Sequence, residues 1–176
     1  MKVAPATALS AVWFAGAPGI VAGLVPWLLT GWHMRGLESY WLLPVRAIGA
    51  LLIAAGAAAV IHAFVRFVRE GLGTPVPIAP PQHLVVGGLY RYVRNPMYVA
   101  VVAAIVGQAL LLVQLGLFWY AAVVVGMVTA FVYLYEEPAL GRRFGESYQE
   151  YRRAVPRWWP RLSPWQPPPT RAPKDS

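Results

Sequence analysis

The chain contains no cysteine. That excludes a disulfide scaffold, a thiolate-ligated metal and a cysteine nucleophile. Charge is also scarce: 12% of the 176 residues are charged, and only 7 of them are acids. A soluble domain carries roughly twice that share. No P-loop, no GxSxG, no HExxH and no GxGxxG followed by an acid occurs. No internal repeat of solenoid length is visible. What the chain has instead is apolar surface: 58% hydrophobic residues and 16 glycines. This excludes a disordered chain and argues against a soluble globular domain.

The few charges are placed as in a membrane protein. Residues 1–65 hold only Lys2, Arg35, Glu38 and Arg46, and the 39 residues 97–135 hold none. A helix needs about 20 apolar residues to cross a ~30 Å hydrocarbon core. Four stretches qualify: 9–30, 42–65, 97–115 and 117–135. Helices are the expected form, because backbone groups in lipid must bond internally. The expected fold class is therefore all-α, a polytopic bundle of about four spans. None of these stretches reads as a cleaved signal peptide.

The net charge of +8 points to a lipid surface and not to nucleic acid, because the arginines cluster at the ends of spans. Arg66 and Arg69 follow the second span, Arg91 and Arg94 precede the third, and Arg142, Arg143, Arg152, Arg153, Arg157 and Arg161 follow the fourth. The positive-inside rule then puts both termini and the 66–96 loop in the cytoplasm. The expected location is a prokaryotic inner (plasma) membrane. Arg46 is read as snorkelling at the outer end of span two. His62 has no second ligand at metal spacing, so no metal site is expected there.

Beyond the spans, Leu140, Phe144, Tyr148, Tyr151 and Val155 recur at helical spacing. The other side of that helix is charged. Such an amphipathic helix lies along the inner leaflet or caps the bundle. The Pro-rich stretch 163–176 is read as a disordered tail. The organisation is thus one membrane domain over 1–162 with that tail attached.

The chemistry has one place to be. The turn around Gln114 and Gly116 is short, so the far ends of spans three and four meet. One end carries segment 82–98, with its glycines, tyrosines and arginines. Asn95 suits the N-cap and Pro96 the first position of span three. The other end carries Glu136 and Glu137, a carboxylate pair that is costly at a membrane boundary unless it has a role. Such a cluster suits a cofactor with a positive centre, an amino group, hydroxyls and an aromatic base.

Gly88-Leu-Tyr-Arg-Tyr-Val-Arg-Asn-Pro-Met-Tyr98, a helical hairpin, Glu136-Glu137, then Phe144-Gly-Glu-Ser-Tyr-Gln-Glu-Tyr151 and Val155-Pro-Arg157 follow in order. Together they resemble the isoprenylcysteine carboxyl methyltransferase family, whose wider group includes the phospholipid methyltransferases. The resemblance covers residues 71–162. It implies an integral membrane methyltransferase that uses S-adenosylmethionine and methylates a lipophilic small molecule. It also implies that Gln82, His83, Leu84 and Val85 border the cofactor and that Tyr90 supplies the loop aromatic. Asn95, Pro96, Met97 and Tyr98 match the family's Arg-(His)-Pro-x-Tyr core, and Glu136, with Glu137 beside it, matches its cofactor-binding glutamate.

Three positions depart from the pattern. Asn95 stands where the family has His and cannot carry a proton at neutral pH, so no catalytic base is named. Val132 stands where the prenylcysteine enzymes place an arginine, so a lone carboxylate is not the expected acceptor. Ala100 replaces a glycine of some phospholipid methyltransferases. Two other readings compete: a membrane reductase of the sterol-reductase type using a nicotinamide cofactor, and a small transporter with Glu136 as its coupling acid.

Overall fold

A computed structural model describes residues 16–36, 39–71 and 84–166, with the backbone alone for 67–71. These residues build five helices and no strand: α1 (Gly16–Thr30), α2 (Leu43–Gly71), α3 (Pro96–Leu112), α4 (Leu115–Phe131) and α5 (Glu137–Ala154). The all-helical expectation holds. Two helical runs, Tyr40–Arg66 and Leu115–Ala154, are long and apolar enough to cross a membrane; α1 and α3 are shorter apolar helices. The Pro-rich stretch from residue 72 to 81 lies outside the described residues.

The central helix is α3. It packs most extensively on α2, because small residues bring the two backbones together. A Cβ added to Gly49 would lie 2.6 Å from Gly107 O, and one added to Gly56 would lie 2.7 Å from Ala100 O. Any larger side chain at either position would force the helices apart, the usual reason for small residues at membrane helix seams. On its other side α3 buries Val101 and Ile105 against Ala121 and Val124 of α4, with Val21 and Ala22 of α1 beside them. The outer faces stay apolar and exposed: Trp119 is 78% and Leu134 79% accessible. A wide exposed apolar surface of this kind belongs against lipid.

Two wide helical turns shape the bundle, and each ends just before a proline. Over Ile20–Leu24 the Val25 N–H reaches back five residues to Ile20 O, and Pro26 follows. Over Val132–Glu136 the Glu137 N–H likewise reaches Val132 O, and Pro138 follows. A proline has no N–H to give and crowds the carbonyl four residues back, so the preceding turn widens. In α1 the released carbonyls are met by neighbours. Gln108 Nε2 donates to Ala22 O at 2.6 Å, and Tyr120 Oη donates to Val21 O at 2.8 Å. A buried glutamine and a tyrosine of the hairpin thereby clamp the kinked first helix.

The second wide turn corrects one expectation. The helix of the fourth span does not stop at Tyr135; it passes through the carboxylate pair into α5. The amphipathic helix then caps the bundle. Tyr148, Tyr151 and Val155 are buried together with Leu84, Val86 and Trp165, so this face is spent on the protein and not on the leaflet. At the opposite end, Arg46 does more than snorkel: its Nη2 donates to Arg35 O and Gly36 O at 2.6 and 2.9 Å.

Candidate functional site

The hairpin brings segment 84–98 and the carboxylate pair together. Tyr98, on the first turn of α3, donates its hydroxyl to Glu136 Oε2 at 3.1 Å. Among the described residues no salt bridge reaches Glu136; all of those at the pair go to Glu137. The two neighbours therefore differ in kind. Glu136 is a half-buried carboxylate with one neutral partner and acceptor capacity to spare.

Glu137 is buried and saturated. Arg157 holds it with a fork, Nε to Oε1 at 2.7 Å and Nη2 to Oε2 at 2.8 Å. Arg94 Nη1 adds a bond to Oε1 at 2.7 Å, and Arg152 stands 3.8 Å from Oε2. Burial pushes the Glu137 carboxyl up, but the Arg157 hydrogen bonds and the charges of Arg94, Arg157 and Arg152 outweigh it and hold it below the usual range. The same bond raises Arg157 further. Burial pushes up the Tyr151 hydroxyl, which stays neutral and donates to Tyr90 O at 2.7 Å.

Sequence reasoning missed this hub. Arg94 and Arg157 read only as markers of the cytoplasmic side, because nothing local says which of the ten span-end arginines would find which acid. It also missed a strap. After α5 the chain runs back along the 91–95 loop: Arg94 N bonds Pro156 O, Arg161 N bonds Tyr92 O and Trp165 N bonds Arg91 O, each at 2.9 Å. Arg91 Nε returns a bond to Trp165 O at 2.7 Å. Trp165 falls inside the stretch read as a disordered tail, yet it is tied down and packed on Tyr151. Residues 167–176 of that stretch lie outside the described residues.

The residues named from the sequence fall as follows. Gln82 and His83 lie outside the described residues. Leu84 packs under α5, and Val85 is buried. Tyr90 binds Tyr151 through its carbonyl. Pro96 opens α3, with Met97 and Tyr98 on its first turn. Asn95 precedes the helix but its side chain does not cap it. Its Nδ2 donates instead to Arg157 O at 3.3 Å, drawn away by the strap. Asn95, Val132, Glu136 and Glu137 line one small cavity of about 30 Å³ with Arg94, Leu140, Tyr148 and Tyr151.

The donor set fits S-adenosylmethionine. A carboxylate without a cation, a tyrosine hydroxyl on it and a second tyrosine nearby offer contacts to an amino group, ribose hydroxyls or a sulfonium. Neither a curated protein nor a solved structure matches the chain. A family model described as phospholipid methyltransferase matches residues 45–147, more than half of the chain. The matched region runs from the start of α2 through the hairpin and both carboxylates into α5. It favours the methyltransferase reading over the reductase and the transporter, and the chain belongs to the phospholipid methyltransferase family.

Proposed function

We propose that this protein transfers a methyl group from S-adenosylmethionine to a lipophilic acceptor at the charged, cytoplasmic end of the bundle. The observation that carries the reading is Glu136: at the meeting point of the hairpin ends it holds a hydrogen bond from Tyr98 and, among the described residues, no salt bridge. A carboxylate in that state attracts a cationic ligand rich in donors. Glu136 binds the amino group or ribose hydroxyls, and Tyr90 and Tyr98 lie against the adenine or the positive centre. Glu137 does not touch the ligand in this reading. It positions the site by pinning the 91–95 loop to the strap through Arg94 and Arg157.

The bound cofactor would supply a methyl group on a sulfonium, from which the acceptor's lone pair takes the methyl carbon as the C–S bond breaks. The leaving group is neutral and strong, so the protein's task is alignment. Good alignment alone supplies up to about 7–11 kcal/mol. An amine acceptor attacks through its free lone pair and sheds its proton to water afterwards, so that case needs no protein base, in keeping with Asn95 where the family has His.

The acceptor is proposed to arrive from the bilayer. The hairpin walls next to the site are charge-free, and the strap and α5 cover the polar side. Val132, almost fully buried in the cavity wall beside Glu136, offers no charge to a carboxylate, so the reacting atom is a neutral group with a free lone pair, such as an amine, and not a lone carboxylate. The test is incubation of the purified protein with labelled S-adenosylmethionine and a membrane lipid extract, followed by mass spectrometry. Label in an extractable lipid or isoprenoid is expected; label only in water-soluble products would overturn the lipophilic acceptor.

A further inference from the structure

We propose that His62 and Arg66 of α2 form the subsite for the carboxylate at the amino-acid end of the cofactor. The two are one helical turn apart, so they share a face. Both are exposed near the charged end of α2. What singles them out is the chain that lies on them. Gly88 takes a left-handed φ of +57°, and a Cβ there would stand 2.8 Å from His62 Nε2 and 3.1 Å from Arg66 Cγ. The left-handed φ favours glycine, and a larger residue there would push on both side chains. A cation that merely snorkels to the interface needs no such approach.

The same loop links this pair to the carboxylate. Two residues beyond Gly88 is Tyr90, and the same loop then enters α3, whose first turn carries Tyr98. Tyr98 in turn bonds Glu136. A single loop thus runs from two potential donors to one acceptor, with tyrosines between. Opposite charges at the two ends of an aromatic cradle match a zwitterionic ligand with hydroxyls and a base. His62 donates through a ring N–H and Arg66 through its guanidinium, and a carboxylate accepts both. His62 was read from the sequence only as a rejected metal ligand.

This inference rests on the cofactor reading above, and the experiment separates the two. Calorimetry on the purified full-length protein compares S-adenosylmethionine with its decarboxylated analogue. His62→Ala and Arg66→Gln are each expected to weaken S-adenosylmethionine about tenfold, as for a charged hydrogen bond, and to leave the analogue unchanged. Glu136→Gln is expected to weaken both ligands. Thermal melts of each variant check that the fold is kept. If the His62 and Arg66 variants bind both ligands like the parent, or lose both in parallel, the carboxylate subsite is wrong. If the parent protein binds neither ligand, the cofactor reading itself fails.

Discussion

Around Glu137 three arginines converge on a buried carboxylate; one residue earlier, Glu136 meets a tyrosine hydroxyl and, among the described residues, no pairing cation. The two acids share a continuous helical run and a residue type. They differ in what the chain supplies to each. The region around Glu137 is complete in itself, as a structural joint should be. The region around Glu136 is left with capacity, as a binding group should be. Burying a carboxylate without a cation is costly, so the second arrangement marks the place where an external partner is expected.

The comparison breaks most severely if Glu137 is not the joint. Glu137→Gln removes the buried anion that holds the partly buried Arg94 and Arg157 together. Removing one partner of a buried ion pair typically costs about 3–5 kcal/mol. A large drop in melting temperature is therefore expected, and a melt close to the parent would show that the hub carries little. The next effect is on the clamp of α1. Gln108→Leu orphans Ala22 O, and an unsatisfied buried group costs about 1–3 kcal/mol. Thermal or denaturant unfolding should show it, while cofactor affinity stays unchanged.

Acid should reveal the same joint. The Glu137 carboxyl is held low in the folded protein. Its contribution is thus fully present above the ordinary carboxylate value of 4.5 and lost as pH falls through the lowered folded value. Melting temperatures measured from neutral pH downward should fall more steeply in the parent than in Glu137→Gln. Equal slopes would remove Glu137 as the cause. The smallest effect sharpens the other half of the comparison. Tyr98→Phe takes one hydrogen bond from Glu136 and should weaken cofactor binding by about 0.5–1.5 kcal/mol, read by calorimetry.

The bundle was legible because hydropathy and charge are local signals. The apolar runs gave the helices, and the spacing of Leu140, Phe144, Tyr148, Tyr151 and Val155 gave the capping face. The meeting of Tyr98 with Glu136 followed from the short turn at Gln114. Other features depend on partners far along the chain. That Pro26 and Pro138 would each widen the turn before it depends on carbonyl geometry that a residue pattern does not carry. Asn95 looked like a cap because caps are local, and the strap 61 to 62 residues away decided otherwise. Trp165 looked like tail because its neighbours are prolines, although its own backbone pairs with Arg91.

The most direct test of the account is S-adenosylmethionine binding to the parent, Glu136→Gln and Glu137→Gln, with thermal melts run in parallel. Glu136→Gln keeps the shape and removes the charge. The account predicts that it weakens binding by about 1.5–3 kcal/mol, the worth of a charge-assisted hydrogen bond, while its melt stays near the parent's. Glu137→Gln should show the opposite pattern, a lowered melt with the smaller direct effect on binding. Unchanged affinity in Glu136→Gln, in a protein that binds the cofactor, would contradict the division of roles between the two acids.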